Sequence, residues 1–410
     1  MKTEAVIAGV GMTAFGKRLE TGLKALGAEA VRAAVTDAGL ELADLDAAFV
    51  GNAAAGLITG QESIRGEVVL RSMGVGRLPV VNVENACASG STALHQAAAM
   101  VTAGLYDVVL ALGVEKLYSE DKAKTFAAFT GAVDVEVLDE LMSALRANAE
   151  RTGATTGSSG SGKQRSMFMD VYAAVARAHM ERYGTTVAQF AAVAAKNSRH
   201  GHLNPRAQFR EELSIDDVLA APMIVEPLTR PMCSPIGDGA AAVVVVSPRK
   251  ARELGIERPV HVRSCVLRSG WDRGFDEDGV AEVCAREAYE EASIGPGELD
   301  VIECHDATAP AEIFAYESIG LCAKGDGGKL VEAGDTALGG RIPVNTSGGL
   351  LRKGHPVGAT GIAQIVELTE QLQGRSGPRQ VRGARIGLAH NGGGTIGTDV
   401  AALCVTILAT

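Results

Sequence analysis

EAVRAAVTDAGLELADLD (residues 29–46) and VCAREAYEEASIGPGELD (residues 283–300) align without a gap, 254 residues apart. Arg32 falls on Arg286, Ala34 on Ala288, Ala38 on Ala292, and Leu45-Asp46 on Leu299-Asp300. In each copy apolar residues recur at helical spacing, a turn follows, and a short apolar run closes the unit: AAFVGN in the first, VIECHD in the second. The pattern reads as helix, turn, strand. An apolar strand also precedes each helix, VIAGVG at 6–11 and VHVRSCVL from 260. The chain is therefore expected to be a duplication.

The downstream segments extend the match. In the first half PVVNVEN (79–85) leads to Cys87-Ala-Ser-Gly-Ser-Thr-Ala, an Ala-rich helix ending near Ala103-Gly104, and the strand DVVLALGV. In the second, IPVNTSGG (342–349) leads to His355-Pro-Val-Gly-Ala-Thr-Gly, a helix to Gly374, and the strand RIGLAHN. Cys87 and His355 are thus expected at equivalent loop-to-helix junctions. Alternating strands and helices imply α/β halves with mostly parallel sheets covered by helices. Residues 117–230 break the alternation and are read as an inserted loop domain that covers the site. The N-terminal half then comprises 1–116 and 231–250, where SPIGDGAAAVVVVS resumes its sheet, and the C-terminal half comprises 251–410.

Composition narrows the function. Apolar residues make up 46% and aromatics only 4%, so burial must rest on Ala, Val, Leu and Ile. A net charge of −10 argues against nucleic-acid binding, which needs a basic surface to displace phosphate counterions. The seven cysteines form neither a CxxC pair nor a Cys/His cluster in sequence, so no metal and no disulfide framework is expected. MKTEAVIAGVG lacks a signal-peptide pattern and no apolar run reaches the ~18 residues of a membrane span. A cytoplasmic setting without membrane association is the expectation.

Four residues draw attention as chemistry. Cys87 stands at a helix N-terminus among small residues, where the macrodipole and free N–H groups favour a thiolate nucleophile. The alternative is a structural thiol in an Ala-rich segment. His355, in RKGHPVGATG, can take its proton, with Pro356 opening the helix. His305 ends the strand IECHD, where doubly wound sheets place their sites, and can polarise a carbonyl. His390 ends the last strand before Gly392, Gly393 and Gly394, whose backbone can approach a ligand oxygen. Each histidine has a structural alternative, as a cap or a satisfied core residue. GSSGSGKQ (157–164) has the spacing of a phosphate-binding loop, yet Gln164 replaces Ser/Thr and no strand leads into it, so it is read as a lid loop.

ENACASGST, HDAT, NTSGGLLRKGHPVGATG and AHNGGG together resemble the thiolase superfamily, in particular its sterol-carrier-protein-2-like and archaeal–bacterial branch. The likeness spans nearly the whole chain. It implies a duplicated five-layered αβαβα thiolase fold, at least a homodimer or tetramer, and an inserted loop domain that holds coenzyme A. It also implies that Cys87 carries the acyl group, His355 activates it, His305 supports the thioester oxygen, and the amides of Cys87 and a glycine such as Gly392 or Gly393 form an oxyanion hole. Coenzyme A enters as substrate or product rather than as a bound cofactor, with Lys163, Arg165 and Ser234 as candidate contacts. Some relatives work with a small zinc-ribbon and OB-fold partner.

The sequence departs from the family pattern at one function. The usual second cysteine, as CxG near the C-terminus, is His390 here, and the branch's substitute, HDCF, has Ala307 at its third position. Cys304 should face away from the site that His305 faces, because strand neighbours alternate. His390 or a water is therefore expected to move the α-carbon proton. The resulting reading is a thiolase-type acyl-CoA C-acyltransferase of fatty acid or lipid metabolism. Alternatives are a ketoacyl-synthase-like condensing enzyme, a retro-aldol carbon–carbon lyase, and a non-enzymatic acyl-CoA-binding subunit.

Overall fold

A computed structural model describes residues 3–157, 165–274 and 277–410. Nine strands form one continuous sheet system: β1 Val6–Met12, β2 Ala47–Gly51, β3 Val80–Val83, β4 Val108–Glu115, β5 Gly239–Val246, β6 Val260–Ser269, β7 Val301–Glu303, β8 Ile386–Ile396 and β9 Asp399–Ala409. Their order is β3-β2-β4-β5-β1-β6-β9-β8-β7. Equating β1 with β6, β2 with β7, β4 with β8 and β5 with β9 makes that order symmetric about the β1–β6 contact, with the edge strand β3 alone lacking a counterpart strand. The pseudo-twofold axis passes where β1 and β6 meet, at Val6–His261 and Ile7–Val260. Within each half one strand, β5 or β9, runs against the others.

The repeated residues do the same work twice. Asp46 accepts from the N–H groups of Asp107 and Val108 at 3.0 and 2.9 Å, where β4 begins. Asp300 accepts from Arg385 and Ile386 at 2.8 and 2.9 Å, where β8 begins. Each carboxylate satisfies backbone donors that the sheet ladder leaves open at a strand start. The paired alanines and leucines of the repeat are all buried.

Helices α1 (Leu23–Asp37), α2 (Ser89–Thr102), α3 (Met167–Tyr183), α4 (Val187–Leu203), α5 (Val280–Ala292), α6 (Ala309–Ser318) and α7 (Thr360–Leu372) complete the layers. α1 covers the outer face of the first sheet and α5 that of the second, while α2 and α7 lie between the sheets. The fold is therefore the five-layered αβαβα arrangement. β5 shows why its sequence is a continuous apolar run: Ala241, Val243 and Val245 face α2 and α7, and Ala240, Ala242, Val244 and Val246 face α1. Helices α2 and α7 touch at Gly90 and Gly361, the same position in each half. A Cβ on Gly361 would sit 2.6 Å from the Ser91 nitrogen and one on Gly90 2.8 Å from the Gly358 oxygen.

Three expectations are corrected here. α2 begins at Ser89 and α7 at Thr360, so the counterpart of Cys87 is Gly358 and His355 lies three residues earlier. The strand expected in IPVNTSGG is a single parallel bridge, Ile302 to Val344, because Asn345 turns the chain with φ 56°. β8 does not stop at His390 but runs through the glycines to Ile396 and is followed by β9.

Between β4 and β5 lie α3, α4, shorter helices and a hairpin of Met223–Val225 with Leu228–Thr229. Both ends of this excursion are pinned by buried Asp238, which accepts from the N–H groups of Leu117 and Tyr118 and pairs with Lys116 Nζ at 2.7 Å. α4 is part of the core and not only a cover over the site, with Phe190, Val193 and Ala194 buried.

Candidate active site

Cys87 occupies the middle of a 3₁₀ turn, Ala86–Ala88, immediately before α2. The turn is sharp: Ala86 has φ 46°, a conformation costing a residue with a Cβ roughly 1–2 kcal/mol. The polar residues of ENACASGST hold it. Ser89 Oγ accepts from the Asn85 N–H at 2.9 Å and donates to the Ala86 carbonyl at 2.7 Å, and Asn85 donates to Thr92 Oγ1 at 2.9 Å. The glycine run of β8 passes against this turn, where a Cβ on Gly393 would lie 2.1 Å from the Asn85 oxygen.

Opposite Cys87 stand the two histidines expected there. The Cys87 sulfur and one ring nitrogen each of His305 and His355 lie within 4.8 Å of one another, and the two imidazoles meet edge to face at 5.1 Å. Their Nδ1 partners assign the protons. His355 Nδ1 bonds Thr360 Oγ1 at 2.7 Å, whose own hydroxyl donates to the Pro356 carbonyl, so Nδ1 carries the proton and Nε2 keeps a lone pair. His305 Nδ1 instead accepts from Asn391 Nδ2 at 3.0 Å, leaving the proton on Nε2. Asn391 is oriented by Ser91, whose hydroxyl donates to its Oδ1. One imidazole is thus built as a base and the other as a donor.

His390 completes the wall. Its Nδ1 accepts from the His305 N–H at 3.5 Å, and its Nε2 is buried with no hydrogen-bond partner among the described residues. That arrangement leaves the proton of the neutral ring on Nε2, so His390, which lines the cavity, carries a donor there.

Burial sets the charge states. It pushes the Cys87 thiol up to about 12, with the Glu115 carboxylate adding to the effect, against the opposing amides of Cys87 and Gly394. The resting group is therefore a thiol, not the thiolate that its place ahead of a helix suggested; burial outweighs the helix end. Burial likewise brings His355 down to about 3, helped by Lys353, and His390 to about 4. It holds His305 well below the usual range, with His355 and His390 adding to it. All three imidazoles are neutral near pH 7.

A cysteine and two histidines are also a donor set for a soft metal ion. The proton assigned to His305 Nε2 removes its lone pair from the cluster, so the set reads as a proton-transfer site.

The amide directed at the sulfur belongs to Gly394, rather than to Gly392 or Gly393, although all three line the cavity. The cavity has a volume of about 1670 Å³ and runs from Cys87 beneath the insertion. Ser234 lines it, its N–H donating to the Ala307 carbonyl at 3.0 Å. Arg165 also lines it and pairs with Asp170 at 2.6 Å. Lys163 lies outside the described residues. Cys304 is fully buried against Asn345.

Sequence reasoning passed over Glu115, Thr360 and Asn391. Glu115 ends an otherwise apolar strand, which is the signal it offered. Its buried carboxylate accepts from the N–H groups of Ala53 and Gly358 at 3.1 and 3.0 Å, tying the two halves together beside Cys87.

Comparison with known proteins agrees with this geometry. Residues 5–249 match the sequence profile "Thiolase, N-terminal domain", and residues 278–406 match "Thiolase C-terminal domain-like". An acetyl-CoA acetyltransferase of Methanothermobacter thermautotrophicus is 39% identical over 403 residues, covering 97% of this chain and 98% of its own. Human sterol carrier protein 2 is 34% identical over 397 residues, covering 94% of this chain and 69% of its own. Among solved structures, one titled "Ltp2-ChsH2(DUF35) aldolase" superposes with a TM-score of 0.77 at 25% identity, over 99% of this chain and 98% of that one. The chain belongs to the thiolase family.

Proposed function

We propose that the protein is a thiolase-type acyl-CoA C-acyltransferase, and that an acyl-Cys87 thioester is its intermediate. The observation that carries the reading is the convergence of a thiol, a lone-pair imidazole and an N–H imidazole within 4.8 Å at one end of a large cavity. His355 Nε2 takes the Cys87 proton as the sulfur attacks the keto carbon of a 3-ketoacyl-CoA. The resulting oxyanion lies against the amides of Cys87 and Gly394. The carbon–carbon bond then breaks, and the enolate oxygen of the departing thioester is held by the Nε2–H groups of His305 and His390. Coenzyme A collects the acyl group; the reverse sequence is a Claisen condensation. The thioester itself acidifies the α-carbon, so the acyl substrate brings its own activation. Arg165, Ser234 and Lys163 are assigned to the coenzyme's approach.

Lipid metabolism, a cytoplasmic setting and a homodimer or tetramer complete the reading. No helix among the described residues is long and apolar enough to cross a membrane. The similarity to a structure titled as an aldolase with a DUF35 protein supports a second possibility for assembly: a small zinc-ribbon and OB-fold partner. It also keeps the retro-aldol lyase in view, a reaction that does not require the Cys87 sulfur.

The test is intact-protein mass after mixing with acetyl-CoA and acetoacetyl-CoA, for the unchanged protein and Cys87→Ala. An acetyl-sized gain that vanishes in Cys87→Ala is expected. Carbon–carbon cleavage that survives Cys87→Ala would replace this reading with the lyase.

A further inference from the structure

Aromatic side chains are scarce in this chain, only 4% of its residues, yet they gather on one cavity. Five of the nine Phe and three of the six Tyr line it, among them Phe129, which packs in the same apolar cluster as Cys87. Core packing does not ask for this, because the buried layers are filled mainly by Ala, Val, Leu and Ile.

One arm of the cavity lies between α3 and α6. On α3, Phe168, Tyr172, Val175, His179 and Tyr183 line it, a stripe at three- and four-residue spacing along one helix face. On α6 the lining residues Ala311, Ala315 and Ser318 recur at the same spacing and are all small. Bulk on one wall and small side chains on the other leave room between them. Tyr172 marks the reacting end: burial raises its phenol, and Cys87 and Asp306, the residue after His305, add to the effect. Rings close the far end. The His179 ring meets those of Phe314 and Tyr183 at 4.8 Å each, tilted by 46° and 54°. Glu317 and Thr185 hold that imidazole at 3.0 and 2.9 Å. From Tyr172 to His179 the helix rises roughly 10 Å.

The coenzyme is a poor occupant for this arm. Its pantetheine amides would be stranded against Met169, Val175, Ala311 and Phe314, whose side chains offer no hydrogen-bonding group. Its phosphates would meet acidic groups at the closed end, Glu317 and Glu282, where Lys324 is already drawn to Glu282 at 3.5 Å and Asp278 at 3.8 Å. An acetyl group would leave the arm unfilled and Val175 43% exposed.

We propose that this arm receives the acyl group of the substrate and that this group carries an aromatic ring. The proposal rests on the thiolase reading above and names its substrate class. Tilted contacts with the rings of Tyr172, His179 and Phe314 favour a flat ring over a straight chain of similar bulk. Cys87 attack on the keto carbon then leaves the ring-bearing acyl group on sulfur inside the arm. Cleavage of the C2–C3 bond releases acetyl-CoA, and coenzyme A carries the ring-bearing group away.

The test compares kcat/KM for thiolysis of 3-oxo-5-phenylpentanoyl-CoA, 3-oxodecanoyl-CoA and acetoacetyl-CoA. The first consumes coenzyme A to give 3-phenylpropanoyl-CoA and acetyl-CoA. It is expected to exceed acetoacetyl-CoA by ~10²-fold, the scale on which a fitted apolar pocket discriminates, and to exceed the straight chain as well. Ala311→Leu and Val175→Phe narrow the arm from opposite walls and should each swing the phenyl-to-acetyl ratio at least tenfold towards acetoacetyl-CoA. Val175 is half-exposed, so its variant reads the arm without disturbing the core. Equal or better turnover of either ring-free substrate, or a ratio that neither variant moves, would overturn the proposal. Absence of any Cys87 acyl adduct with all three thioesters would instead remove the underlying reading.

Discussion

The protonation state of Cys87 is the sharpest consequence of the geometry. Burial and the Glu115 carboxylate push its thiol up to about 12. At pH 7 that leaves a thiolate fraction on the order of 10⁻⁵, against ~3% for an ordinary thiol with a pKa of ~8.5. Titrating thiolate ultraviolet absorbance in the unchanged protein, and subtracting the same titration of Cys87→Ser, isolates this group. No step should appear in the difference below pH 9. Glu115→Gln should move the Cys87 step down in pH, yet leave it above ~8.5, because burial is the larger cause. The stability sign follows. The folded value lies above the unfolded one, so the contribution of Cys87 is whole below ~pH 8.5 and is lost as pH rises towards about 12. The melting temperature of Cys87→Ser should therefore gain on that of the unchanged protein between pH 7 and 10. A Cys87-dependent absorbance step with a midpoint below 8 would refute the reasoning, because it would mean a resting thiolate–imidazolium pair.

Three further perturbations probe other parts of the site. His305→Ala removes the N–H that faces the enolate oxygen and should lower kcat by ~10²–10³-fold, with the Cys87 acetyl adduct still visible by mass. Gly361→Ala places a Cβ 2.3 Å from Ser91 Oγ and 2.6 Å from the Ser91 nitrogen, so α2 and α7 must part; calorimetry should record a loss of ~1–3 kcal/mol. Asp238→Ala strands buried Lys116 and the N–H groups of Leu117 and Tyr118. Breaking that pair should cost ~3–5 kcal/mol in chemical denaturation.

How much of this was legible in the sequence follows the reach of each signal. The duplication was readable because Asp46 and Asp300 must both cap a strand start, and the alanines between must fit against a sheet; these are local demands on residue type. Cys87, His305, His355 and His390 stood out in the sequence because chemistry restricts the residue types that can serve, and the structure gathers all four around one cavity. The spacing error between Cys87 and His355 arose because the two junction loops differ in length, and only the helix starts at Ser89 and Thr360 set the register. The charge of Cys87 was not readable at all. Glu115 is distant in sequence, and the thiol's burial depends on how two sheets and an insertion close over it. The place of α4 in the core was hidden for a related reason. Lys196 and Asn197 look like surface residues, yet both are buried, Lys196 against Glu312 and Asn197 against Asp306 and Glu312 at 2.9 and 2.7 Å.

That buried network bears on why the site can use neutral groups. Asp306 follows His305 directly and accepts from the Leu350 N–H at 2.7 Å, on the segment leading to His355. Asn345 donates to Glu312 at 2.7 Å and accepts from the Cys304 N–H at 2.9 Å. The loops that carry His305 and His355 are thus bolted to each other and, through Asn197 and Lys196, to α4 of the insertion. A thiol with a high pKa gives a poor nucleophile unless its base is held in line for the moment of transfer. Here the imidazole is held within 4.8 Å of the sulfur by packing and by the hydrogen bonds behind it, with no ion pair between Cys87 and His355. The opposite tautomers of His355 and His305 follow from the same economy of means, since each is imposed by one partner on Nδ1, Thr360 or Asn391. Exchanging those partners would exchange base and donor while leaving both rings in place. In this site the position of each ring proton therefore rests on the residues behind the histidines as much as on the histidines themselves.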